Sequence, residues 1–172
     1  MFYEEIFREL QQKQVRYLVI GGVAVNLHGF SRSTGDLDLM LSLNEENLTK
    51  FVEIIKSLGW KPRLPVELSD FVDASKRDTW IKEKNMKVFS VYNPKKEIEH
   101  IDVMVENYIE FDKAYQNREE VLVGNLKITI MSITDLIELK KIADRGRDKI
   151  DINALKKIQE LRDAQKYRET ES

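Results

Sequence analysis

The sequence contains no cysteine, so disulfides and thiolate metal sites are excluded, and any metal must be held by oxygen or imidazole. That donor set favours a hard cation such as magnesium. Long apolar runs are also missing: none approaches the roughly 20 residues needed to span a bilayer. The opening "MFYEEIFREL" carries acids and an amphipathic pattern instead of a basic flank and apolar core, so no export is expected and a cytoplasmic setting without membrane contact is. Nor does charge of one sign dominate. With a formal net charge of −2, a broad electrostatic hold on nucleic acid is not expected, and any contact with RNA or DNA would be local.

What is present is the composition of a soluble globular protein, 42% hydrophobic and 34% charged, over 172 residues, a length suited to one domain with a small helical appendage. Phe2, Ile6 and Leu10 lie at helical spacing in an opening amphipathic segment. "VRYLVI" reads as a strand that turns through Gly21-Gly22 into a brief helix ended by Gly29. After the polar link "FSRST" comes "GDLDLML", then a helix capped by Asn44 and stopped by Gly59. Residues 60–85 mix prolines, acids and bases without a clean period, which suggests loops around one or two short helices. "MKVFSVYN" and "IEHIDVMV" read as two strands, and "EEVLVGNLKITI" as a hairpin turning at Gly124-Asn125. From Ser132, with Asp135 three residues on, two helical segments broken near Gly146 lead to a polar tail, "KYRETES", expected to fray. This order predicts an α+β protein, a mixed twisted sheet flanked by helices with a helical C-terminal portion.

The segment "STGDLDLMLSL" poses the functional question. Leu37, Leu39, Leu41 and Leu43 alternate as the buried face of a strand, while Asp36 and Asp38 share the other face about 7 Å apart. Aspartate is a poor strand former and is expensive to bury alone, but a pair of divalent cations offsets the desolvation of two carboxylates. Three features support that reading. Gly21-Gly22 lets a ligand approach the backbone at a helix N-terminus, where unsatisfied amides suit phosphate. Asp102 is a further acid within an apolar strand-like run. Arg32 and Ser33 precede the acidic strand, where a guanidinium and a hydroxyl could meet a triphosphate. His28, near a helix end, suits capping or packing, and His100 lies two residues before Asp102.

Gly21-Gly22, a gap of about a dozen residues, Asp36-Leu-Asp38 and a later strand aspartate resemble the signature of the DNA polymerase β-like nucleotidyltransferase superfamily. "YLVIGGVAVNLHGFSRSTGDLDLML" is similar to small prokaryotic members related to the abortive-infection, AbiEii-type toxin branch. "KRDTWIKEKNMKVFSVYNP" and "DLIELKKIADRGRDKIDI" extend the resemblance over most of the chain. It implies the polymerase β-like fold, with a nucleotidyltransferase core over residues 1–131 and a helical portion over 132–172. It further implies that Asp36, Asp38 and Asp102 hold two Mg2+ ions, or Mn2+ in their place. Gly21, Gly22, Arg32, Ser33, Lys140 and Arg147 would bind the nucleoside triphosphate, with Lys141 an alternative to Lys140. Arg145 is a further candidate for neutralising charge. Family members often have serine in the second glycine's place; Gly22 removes that hydroxyl and leaves Ser33 as a substitute.

The implied reaction moves a nucleoside monophosphate to a hydroxyl of tRNA or protein and releases pyrophosphate, in a toxin–antitoxin or defence setting with a cognate partner. Two alternatives stand beside it: a small-molecule transferase of the antibiotic-modifying kind, and a non-catalytic nucleotide-binding or antitoxin-like member. The presence of all three carboxylates argues against the last.

Overall fold

The computed structural model describes residues 3–171. Helix α1 (Glu4–Gln12) buries Ile6, Phe7 and Leu10 as the helical spacing predicts, while Phe2 lies outside the described residues. Strand β1 (Tyr17–Ile20) is buried throughout and runs directly into α2 (Gly21–His28), which ends at Gly29 in the left-handed region (φ 118°). Strand β2 (Asp36–Leu41) leads to α3 (Glu45–Ser57), whose first turn is capped by the Asn44 side chain accepting from the Asn47 N–H. Gly59, just past its end, has φ 73°.

Residues 60–85 hold the short helical segments expected, a 3-10 turn (Leu68–Val72) and α4 (Ala74–Lys84), and in addition a two-residue strand β3 (Lys61–Pro62). Stacked aromatics fasten this segment. Phe71 packs on Phe89 at 4.8 Å between ring centroids, and Trp80 packs on the same Phe89 at 5.7 Å. Strands β4 (Val88–Asn93) and β5 (Lys96–Met104), helix α5 (Phe111–Gln116) and the hairpin β6 (Glu119–Val123) and β7 (Leu126–Ile130) follow, with Gly124 turning the hairpin at φ 61°. Ser132 caps α6 (Ile133–Ala143) by accepting from the Asp135 N–H, and α7 (Asp148–Glu171) closes the described chain. The tail expected to fray is helical through Glu171. Its lysine, arginine and glutamate residues are good helix formers, and they need no buried face to extend a helix already nucleated.

The sheet order is β3-β4-β5-β2-β1-β7-β6. It is mixed: β1 pairs with β2 antiparallel and with β7 parallel, β2 pairs with β5 parallel, and β5 pairs with β4 antiparallel. The acidic strand is therefore central. Its leucines enter the core, while its other face passes from exposed Asp36 through half-buried Asp38 to fully buried Met40. No described helix is long and apolar enough to cross a membrane.

Candidate active site

Strand register brings the acids together. Ile20 of β1 lies opposite Asp38 of β2, Asp38 opposite Asp102 of β5, and Asp102 opposite Ser90 of β4, forming one row across four strands on a single face. Asp36, two residues earlier, is opposite His100. The Ser90 hydroxyl donates to Asp102 Oδ1 at 2.5 Å and so fixes the orientation of that carboxylate. Sequence reasoning missed Ser90; the signal was its place on the polar face of "VFSVYN".

Asp38 is shaped by its crowding. Burial, then the charge of Asp102, pushes its carboxyl up to about 7, against the opposing pull of Arg145. Gly21, at φ 64°, is pressed against it: a Cβ there would lie 2.0 Å from Asp38 Oδ2. Only glycine permits this approach of the α2 N-terminus. At Gly22 a Cβ would meet Thr34 Oγ1 at 2.6 Å and Arg32 Nη2 at 2.8 Å. The space a serine side chain would take is thus filled by Thr34, so the threonine hydroxyl stands beside the helix start. Ser33, the neighbour that the sequence points to, is exposed and lines the same polar cavity.

Behind the acids lies a buried ion network. Lys140 Nζ is 2.8 Å from Asp151 Oδ2 and 3.4 Å from Asp148 Oδ1, with all three residues at most 4% exposed. Arg32 reaches the same Asp151 through Nε at 3.0 Å and Nη2 at 3.1 Å. Burial would raise the Asp148 carboxyl, but the backbone N–H of Arg145 and the charges of Lys140 and Arg145 outweigh it and hold it below the usual range. The network ties the loop before β2 to the α6–α7 junction. Arg32 and Lys140 are therefore already paired, whereas exposed Arg147 has no ion pair among the described residues. Lys141 is exposed and pairs with Glu138 at 3.1 Å, whereas Lys140 lines a cavity together with Asp38 and Asp102.

The histidines sit elsewhere. The ring of His28 is buried, with Nε2 donating to the Met131 carbonyl at 2.8 Å, a packing role; burial lowers its pKa. His100 contacts Arg63 at 2.9 Å and, with Tyr92 and Glu97, lines a separate hollow.

Two cavities share Gly21, Asp38, Asp102 and Arg145. One, of about 590 Å³, is polar and bounded by Gly22, Arg32, Thr34, Asp36 and Arg147 among others. The other, of about 330 Å³, is walled by Met104, Leu136, Leu139 and Ile142, with Lys87 and Tyr108 also lining it. A cleft of about 610 Å³ between α1 and the β6–β7 turn includes none of these acids.

This is the fold of a nucleotidyltransferase. The chain belongs to the family described as "Nucleotidyltransferase of unknown function (DUF6036)", whose family model matches residues 3–165. No curated protein matches the sequence. Among solved structures, the lincomycin-bound lincosamide antibiotic adenylyltransferase LnuA is similar at a TM-score of 0.59 and 17% identity, over 89% of this chain and 93% of that one. The antibiotic-resistance factor ANT(2″)-Ia is similar at 0.56 and 15%, over 96% and 90%. An antigenic nucleotidyltransferase-like protein from Paracoccidioides brasiliensis is similar at 0.53 and 16%, over 87% and 71%. At such identities the likeness is one of fold.

Nucleotidyltransferases generally use divalent metals, and these residues fit one. Among the described residues no group of three or more His, Cys, Asp or Glu side chains is gathered closely enough to hold a metal unaided. A small hard cation needs no such cage, since it is commonly held by one or two carboxylates plus waters and substrate phosphates. Asp38 beside Asp102, with Gly21 leaving room for the carboxylate, supplies that donor set.

Proposed function

We propose that this enzyme transfers a nucleoside monophosphate from a nucleoside triphosphate to an acceptor hydroxyl. The observation that carries the reading is the opposed pair Asp38 and Asp102, placed where a polar cavity lined by both acids and arginines meets an apolar one. In this reading Asp36, Asp38 and Asp102 are the metal ligands, for two Mg2+ ions or Mn2+. The bound metal would neutralise the carboxylates and polarise the α-phosphate oxygens. The α2 amides at Gly21 and Gly22, the hydroxyls of Ser33 and Thr34, and Arg147 face the phosphates, while Arg32 and Lys140 lend positive charge from the ion network. The acceptor oxygen bonds to the α-phosphorus, and its proton passes to Asp102, which Ser90 orients. The bond from phosphorus to the bridging oxygen breaks, and pyrophosphate leaves with that electron pair. Residues 1–131 form the catalytic core of this scheme, and 132–172 a helical portion packed on it.

A macromolecular acceptor, tRNA or protein, is the reading that the AbiEii-type resemblance implies, together with a cytoplasmic toxin–antitoxin or defence role and a cognate partner. The exposed bases Lys141, Arg145, Arg147 and Lys149 favour it as a local docking strip. A small-molecule acceptor is favoured by the apolar cavity at the acids. The test is incubation with each α-labelled triphosphate, magnesium and cell lysate, followed by separation of RNA, protein and small molecules. Label in any fraction, lost in Asp36→Asn with Asp38→Asn, supports transfer; binding of magnesium-nucleotide by the parent without any labelled product would leave the non-catalytic reading.

A further inference from the structure

The two cavities lie in opposite directions along the strands. Because β2 and β5 are parallel, Asp36 to Asp38 runs in step with His100 to Asp102. The polar cavity is bounded by residues 32–36, before the acids, and the apolar one by Met104, beyond them. Nucleotidyl transfer holds the attacking and leaving oxygens roughly in line through phosphorus. With the phosphate-binding groups on one side, pyrophosphate departs there and the acceptor arrives from the other.

We infer that the apolar cavity is the acceptor subsite, and that it takes a small hydroxyl compound with an apolar body and an anionic far end, excluding polycationic sugars. This rests on the transferase reading above. Leu139, Ile142 and Ala143 of α6 face Val88 and Met104 across the cavity, and Ile142 is 51% exposed, a large apolar side chain left for a ligand to cover. Lys87 lines the same cavity, is exposed and has no acidic partner among the described residues, so it attracts an anionic end and repels a cationic one. The hydroxyl end lies at Asp102, where its oxygen bonds to the α-phosphorus, its proton goes to the carboxylate and pyrophosphate leaves by the polar side.

The test uses the full chain with magnesium and non-hydrolysable triphosphate analogues, followed by calorimetry. Failure of every magnesium-nucleotide to bind overturns the transferase reading itself. With nucleotide bound, ω-hydroxyoctanoate is expected to bind saturably, and ω-aminooctanol about tenfold more weakly or worse. Ala143→Trp, a change at an exposed helix end that fills the cavity, and Lys87→Glu, which reverses its charge, are each expected to weaken ω-hydroxyoctanoate about tenfold or more while nucleotide still binds. Absence of ω-hydroxyoctanoate binding, equal binding of the amine, or binding unaffected by Ala143→Trp overturns the acceptor assignment and leaves the nucleotide site intact. Transfer to tRNA or protein that Ala143→Trp does not reduce does the same in favour of a macromolecule.

Discussion

A Cβ on Gly21 would lie 2.0 Å from Oδ2 of Asp38, so the helix start and the carboxylate occupy adjoining space only because residue 21 is glycine. Gly21→Ala meets both that clash and a left-handed backbone angle, φ 64°, which together destabilise by about 1–3 kcal/mol. The expected result is a lower melting temperature and loss of magnesium-nucleotide binding by calorimetry. An alanine variant that binds as the parent does would mean that Asp38 is not held where the phosphates meet it.

The raised carboxyl of Asp38 fixes a pH dependence. Its folded pKa, about 7, lies above the ordinary 3.8, so between those values the folded state holds a proton that the unfolded state has lost. Without metal, this group therefore makes stability fall as pH rises from about 4 to about 7. Asp38→Asn removes that decline. Thermal melts in chelator at about pH 5 and about pH 8 measure it, and the parent is expected to lose more than the variant between the two. Equal slopes would refute the burial of an ionisable acid there.

Asp102→Asn separates binding from chemistry. Triphosphate affinity is expected to stay within a few fold while single-turnover transfer falls by about 10² or more, the range for a general base. Unchanged turnover with a depressed melting temperature would make Asp102 a sheet residue only.

Asp151→Asn removes the negative charge that Lys140 and Arg32 share and replaces one acceptor oxygen by an amide donor facing them. Removing one member of such a cluster is expected to destabilise by about 3–5 kcal/mol, read from denaturant unfolding. A loss below about 1 kcal/mol would mean that water already screens the network.

The parts of this molecule legible in sequence are those set by local chemistry. The Asn44 and Ser132 caps, the Gly29 stop and the Gly124-Asn125 hairpin each depend on a few adjacent residues, and each stands as read. The acid pair on β2 was legible from strand alternation, and Asp102 from its apolar surroundings. In residues 60–85 the presence of short helices was legible but not their bounds, because α4 buries only Arg77 and Trp80 and is fastened by the Phe89 ring of the next strand, which leaves no apolar period to detect. β3 has two residues, too few to pattern, and α5 is a short helix with two buried side chains. The ion network was hidden for another reason. Arg32 and Asp151 are 119 residues apart, and no local signal tells an acid facing solvent from one facing a buried guanidinium. The space above Gly22 likewise shows only in three dimensions, so Thr34 was not legible as its occupant beside Ser33, which lines the same polar cavity.

The parallel pairing of β2 with β5 also orders events in time. All of α3, α4 and β4 lies between Asp38 and Asp102 in the chain, so the two carboxylates meet only after a long loop has closed and the central strands have docked. A cation held by both would find no such pair in the unfolded chain and would contribute late on the folding path. Added magnesium is therefore expected to act mainly on the escape rate from the native state, slowing unfolding while leaving the refolding rate nearly as it was. The site would then serve as a kinetic lock on the sheet that builds it.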